Sequence, residues 1–204
     1  MANVSTDQIR ELREKTGAGI MECKNALAES GGKMEEALRI LRVKGAKIAD
    51  EKAGRAVRCG KIGAYVHGDR IGVMVEVNCE TDFVARTEQF QKFVHEICLQ
   101  IAAMNPKYVS REDVSPEEIG NELAILHEQL DGVDEESTQP MQQSHMERFY
   151  RERVLLDQPY VKDGSKSIQD LLHDLVTSLR ENVVISRFKR FSLGEETASS
   201  GTAQ

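Results

Sequence analysis

The chain has 204 residues, 40% hydrophobic and 30% charged, with 27 Lys and Arg against 34 Asp and Glu for a net charge of −7. That length allows one or two globular domains with a real core, and no apolar run approaches the roughly 18 residues that cross a bilayer, so no membrane role is expected. Nucleic acid is held by basic surfaces, yet residues 61–204 carry 15 basic and 25 acidic residues, and Glu112 to Glu136 contains ten carboxylates and no Lys or Arg, which excludes direct nucleic-acid binding.

The opening MANVSTDQIRELREK lacks the apolar segment of a signal peptide. It reads as a mature start in the cytoplasm. Thr6 or Ser5 caps a first helix with Ile9 and Leu12 at helical spacing. The run Thr16-Gly17-Ala18-Gly19 ends it and permits a tight reversal. A second helix spans about Ile20 to Glu29, burying Cys23, Ala26 and Leu27, and a third carries Met34, Ala37, Leu38 and Leu41 on one face. A bundle this small has a thin core, so its remaining apolar side chains are candidates for contact with a partner. Residues 1–54 form this helical module, and the small, polar stretch up to about residue 60 reads as a helical linker.

From Lys61 the hydrophobic period changes to two, giving two strands around His67-Gly68-Asp69-Arg70 with Gly68 first in a two-residue hairpin loop. Ile71, Val73, Val75 and Val77 share one face of the second strand, and Gly72, Met74, Glu76 and Asn78 the other. The strand runs out in VNCETDFVAR, where Asp82 and Phe83 sit side by side on a loop. A helix follows, with Phe90, Phe93, Val94, Ile97 and Ile101 in a stripe that stops at Pro106.

Ser115-Pro116-Glu117-Glu118 is a capped helix start. The stripe Ile119, Leu123, Leu126, Leu130 follows, with Gly132 to close it. Beyond an acidic connection, Met141 to Arg153 is a helix with Met146, Phe149 and Tyr150 inward, and VLLDQPYV is extended around Pro159. Ser167 caps a helix with Ile168, Leu171, Leu172, Leu175 and Leu179 on its core side, and a last strand from Val183 to Leu193 joins the sheet. The expected fold is α+β: a three-helix bundle, then a core over residues 61–193 in which a small antiparallel sheet packs on helices. Residues 194–204 lack a hydrophobic face and are expected to be disordered.

Chemistry-bearing motifs are sparse. Cys23, Cys59, Cys79 and Cys98 form no C-x-x-C pair and have no His at zinc spacing, so no metal or cofactor is expected and all four read as reduced, small core residues. The five histidines are scattered, and GAGIMECK has neither the preceding strand nor the lysine spacing of a phosphate loop. Asp82 has no second carboxylate at a telling spacing, and a lone loop Asp is better explained as a cap or turn residue than as a metal ligand. An enzyme is not expected.

Three stretches, LREKTGAGIMECKNAL, VNCETDFVAR and QPYVKDGSKSIQDLL with RFKRFSLGE, closely resemble the elongation factor Ts family, in its order and over nearly all of residues 4–194. The resemblance implies a ubiquitin-associated-like N-terminal bundle and a guanine-nucleotide exchange factor for elongation factor Tu. It implies that Thr81, Asp82, Phe83 and Val84 enter the partner's nucleotide domain and disturb the bound magnesium and phosphates. Arg13, Ile20 and Met21 match positions that grip a helix of that domain, with Ile20 where the family usually has Met. For Ile20 and Met21, core packing stands as an equal alternative. His67 matches a stretch of the family that faces the partner, or is a solvated turn residue. Short members with a single core form homodimers, so the resemblance implies a homodimer bound to two copies of elongation factor Tu, against a monomer whose own helices cover the sheet. The other class of function in play is an adaptor that binds a helix without exchange activity, and such an adaptor has no need of the Asp82–Phe83 loop.

Overall fold

A computed structural model describes residues 4–129 and 135–195. Helix α1, Thr6–Thr16, starts at Ser5, whose hydroxyl accepts from Gln8 N while the Gln8 side chain accepts from Ser5 N, and it ends at Gly17. Helices α2, Ile20–Glu29, and α3, Met34–Lys52, complete the bundle around Leu12, Ala18, Cys23, Ala26, Leu27, Ala37 and Leu41. Of the stretch 44–60 expected as a helical linker, residues 44–52 continue α3, whereas residues 53–58 are turn and irregular chain and not helix.

Strands β1, Cys59–His67, and β2, Ile71–Cys79, form the predicted hairpin. Three residues, Gly68, Asp69 and Arg70, separate the paired His67 and Ile71, one more than expected. Arg70 N donates to the His67 carbonyl at 3.1 Å, and Gly68 and Asp69 take φ of 53° and 58°. Both central residues of the turn are therefore left-handed, which Gly and Asp tolerate. Strand β5, Val183–Ser192, pairs antiparallel with β2, so the sheet order is β1-β2-β5.

One face of this sheet carries Val73, Val75, Val77, Val183 and Ile185 into the main core, against Phe90, Val94, Ile97 and Ile101 of α5, Glu88–Met104, and Leu172, Leu175 and Val176 of α8, Ile168–Leu179. Alternation in β2 and the helical stripes of α5 and α8 thus produce one layer of helices on one face of a sheet. The fold is α+β as expected.

Helices α6, Pro116–Gln129, and α7, Glu135–Arg153, form a separate arm. Its foot holds a small core of Val114, Phe149 and Val154 and the Arg111 guanidinium, paired with Glu147 at 3.0 Å and Asp157 at 2.5 Å. Helix α7 begins six residues before the expected Met141 and contains Pro140. Strands β3, Pro159–Tyr160, and β4, Asp163–Ser167, make a short ribbon where only an extended segment was expected. The expectations for Leu130, Gly132 and the tail beyond Glu195 lie outside the described residues.

Candidate functional site

The strand β2 ends in the main core at Cys79, which is fully buried, and the chain must turn there. It does so not as an open loop but as a single helical turn, α4, Asp82–Ala85, with Thr81 as its cap: Val84 N donates to the Thr81 hydroxyl at 3.4 Å. Ala85 points inward and is 7% exposed, whereas Phe83 is 86% exposed. Val84 packs partly buried against the main core beside Ala85, which leaves Asp82 and Phe83 to stand in solvent together. An aromatic ring this exposed gains nothing for the fold, because its apolar surface stays in water.

The turn is held tightly on both sides. Upstream, Glu80 N and Thr81 N donate to Oε2 of Glu181 at 3.1 and 3.0 Å, and the Thr81 hydroxyl donates to Oε1 at 2.6 Å. Asn182 N donates in return to Oε1 of Glu80 at 2.7 Å. Downstream, Thr87 caps α5 and its hydroxyl donates to the Val84 carbonyl at 2.8 Å. Cys59, directly opposite Cys79 in the hairpin, lies beside Asp82. Burial first and the Asp82 charge second push the Cys59 thiol up. Burial likewise raises Cys79 and Cys98 to about 11 each. The thiols are protonated at neutral pH.

A second group of predicted residues sits on the helical module. Ile20 and Met21 are 55% and 63% exposed, so core packing does not account for them. With Arg13 they line a shallow depression whose far wall is Ser178 and Arg180. Arg180 also pairs with Glu22 across the boundary between module and core. The segment Ser178–Asn182 therefore runs from this depression to the Thr81 cap, so the two groups of predicted residues share one stretch of backbone.

His67 is not part of either group. It lies at the turn end of the hairpin, eight strand positions from Cys59, about 27 Å at 3.4 Å per residue. There it is exposed, with Nδ1 2.9 Å from the Tyr65 hydroxyl.

The outer face of the sheet is a third feature. Its cross-strand rows are Val66–Gly72–Phe191, Ala64–Met74–Lys189 and Ile62–Glu76–Arg187. Ile62, Val66, Met74 and Phe191 are each more than half exposed, and no helix among the described residues covers them. Glu181 and Asn182 were missed by sequence reasoning, since nothing in RENVV marks them as partners of residues 80 and 81. Among the described residues no cluster of three His, Cys, Asp or Glu side chains suits a metal ion, and no helix is long and apolar enough to cross a membrane.

The sequence model of the family described as Elongation factor TS matches residues 1–195. The chain is similar to Elongation factor Ts of Caldanaerobacter subterraneus subsp. tengcongensis, 51% identical over 195 residues that cover 94% of this chain and 98% of that one. It is also similar to Elongation factor Ts of Thermotoga neapolitana, 47% identical over 95% of this chain and 98% of the relative. A third relative, Elongation factor Ts of Desulforamulus reducens, is 46% identical over 96% of this chain and 91% of its own length.

Proposed function

Because the chain belongs to the elongation factor Ts family, we propose that it is a guanine-nucleotide exchange factor for elongation factor Tu in translation elongation. It promotes GDP release by placing the turn Thr81, Asp82, Phe83, Val84 beside the partner's magnesium and nucleotide site. The observation that carries this reading is the 86% exposure of Phe83 on a turn fixed by hydrogen bonds at both ends. An adaptor that only bound a helix would have no use for that ring.

Exchange is a linkage problem. A factor that binds better to the partner state in which nucleotide fits badly lowers nucleotide affinity, and nucleotide lowers the factor's affinity by the same ratio. Burying a Phe ring is worth about 1.5–3 kcal/mol, and each tenfold in rate needs about 1.4 kcal/mol. Phe83 thus supplies one to two decades of acceleration, provided its pocket exists only in the opened partner. The rest comes from disturbed magnesium coordination next to Asp82 and from docking energy elsewhere.

Arg13, Ile20 and Met21 of the 1–54 module supply that docking, gripping the partner's nucleotide domain, while residues 61–193 form the exchange core. The protein itself makes and breaks no covalent bond and needs no cofactor or metal. Its place of action is the cytoplasm, on a protein and not directly on nucleic acid. The open sheet face fits a second copy of the chain: paired two-fold about that face, each Met74 and Phe191 would be buried by the other sheet. A homodimer would then carry two copies of elongation factor Tu. His67 at the hairpin tip is a further contact with the partner.

Release of a fluorescent GDP analogue from purified elongation factor Tu tests the reading. Acceleration that saturates with added chain is expected, and release at the intrinsic rate whatever the chain concentration contradicts it.

A further inference from the structure

We infer that Glu181 is a positioning residue for exchange: its carboxylate sets the direction in which the Thr81 cap presents Phe83, and ties that direction to the docking surface of the helical module. The inference rests on the exchange reading and deepens it. Glu181 makes its hydrogen bonds to residues 80 and 81 and acts on Phe83 through them.

Among the described residues, all of its side-chain hydrogen bonds go to the turn: two from backbone amides and one from the Thr81 hydroxyl. No Lys, Arg or His among the described residues lies within ion-pairing distance of it. A half-buried carboxylate with no cation of its own, next to a Glu80 that Arg55 pairs at 3.7 Å, needs hydrogen-bond donors to replace its lost hydration. Here the amides are those of the turn itself, so the geometry of residues 80 and 81 is dictated by a group 100 positions later in the chain. Glu80 answers by accepting Asn182 N, which makes the join between the end of β2 and the start of β5 reciprocal.

The same corner reaches the module from two directions. Arg180, one residue before Glu181, lines the depression with Arg13, Ile20 and Met21 and pairs with Glu22. Asn182, one residue after, donates its side-chain amide to the carbonyls of Ala53 and Arg55 at 3.2 and 2.8 Å, just past the end of α3. Three consecutive residues thus touch the module surface, the exchange turn and the connection between module and core. A ring that must meet a pocket on a partner gripped elsewhere needs this fixed spacing, since a ring held out of register forfeits the burial that supplies its one to two decades of rate.

The test compares Glu181→Ala, Glu181→Gln and Phe83→Ala, singly and as the Glu181→Ala/Phe83→Ala pair, in GDP-analogue release from elongation factor Tu over a range of chain concentrations. Glu181→Ala is expected to lower the maximal release rate roughly tenfold, part of the one to two decades that ring burial supplies, while leaving the half-saturating concentration within about twofold. Glu181→Gln, which keeps an oxygen for the two amides, restores most of the rate. In the Phe83→Ala background, removal of Glu181 costs clearly less than it does in the natural chain, because only the smaller share of Asp82 is left to position. Should Glu181→Ala not fold, Glu181→Asp keeps the charge but withdraws it from the amides and takes its place. Full multiplicative loss in the double variant, or wild-type release by Glu181→Ala while Phe83→Ala is slow, overturns the inference and leaves the exchange reading standing. Wild-type release by Phe83→Ala overturns both.

Discussion

Gly45 lies against Thr177 so closely that a Cβ at position 45 would stand 3.0 Å from the Thr177 hydroxyl oxygen, which itself donates to the Gly45 carbonyl at 3.4 Å. Helix α3 is therefore a wall of the bundle and a cover for α8 at once. Arg42 adds a pair to Asp170 at 3.3 Å along the same seam. A leucine at position 45 must push the helices apart. Gly45→Leu is expected to destabilise the protein by about 1–3 kcal/mol, the cost of overpacking a close contact less a gain in helix propensity. Thr177→Ala should recover part of that loss in the double variant. An unchanged urea midpoint for Gly45→Leu would show that the seam is not packed as described.

The module's grip is tested on its surface and not by deletion, because removing residues 1–54 would also strip α3 from α8. Ile20→Glu with Met21→Glu changes two exposed side chains outside the bundle core. Affinity for elongation factor Tu should fall at least tenfold, as each lost apolar contact is worth roughly 1.5–3 kcal/mol if fully buried in the complex. The melting temperature should hold within a few degrees. Unaltered affinity would place the grip elsewhere.

Self-association should depend on the outer sheet face. Phe191 and Met74 lie in adjacent rows on β5 and β2, 61% and 51% exposed. Sedimentation equilibrium at micromolar concentration should give a dimer for the natural chain and a monomer for Met74→Lys/Phe191→Asp. Charges on a face that a symmetric mate must bury are counted twice in a two-fold interface. A natural chain of monomer mass would end this part of the account.

Folding raises the Cys79 and Cys98 thiols from 9.0 to about 11 through burial. The folded state therefore keeps both protons where the unfolded chain loses them. Stability due to these groups is intact below about pH 9 and declines as pH rises from about 9 to 11. At pH 8 roughly one such thiol in a thousand is thiolate. Iodoacetamide should leave Cys79 and Cys98 unmodified in the native protein and label both in urea. Rapid native labelling of either would contradict its burial.

Much of this molecule was legible because its patterns are local. The β2 alternation, the stripes of α5 and α8, and the Ser5, Ser115 and Ser167 caps each declare themselves within a few residues. The motif around Phe83 was legible as well, through an aromatic next to an acid at a strand end. Its backbone was not: the Thr81 cap makes a helical turn of four residues, too short for a periodic signal. The start of α7 was expected too late because residues 135–140 are acidic and polar and carry no apolar stripe, although the helix runs through them and through Pro140. Glu181 escaped altogether. Its partners are backbone amides about 100 positions away, and backbone amides have no sequence signature.

The most direct measurement is the maximal rate of GDP-analogue release from elongation factor Tu at saturating chain, for the natural protein against Phe83→Ala and Asp82→Ala. Both side chains are exposed on α4, so both variants should keep the fold, shown by an unchanged melting temperature. The maximal rate should fall by about ten- to a hundredfold for Phe83→Ala, the share that burial of one ring can supply, and by a smaller but clear factor for Asp82→Ala. Natural rates from both variants, with both still binding the partner, would contradict this role of the turn.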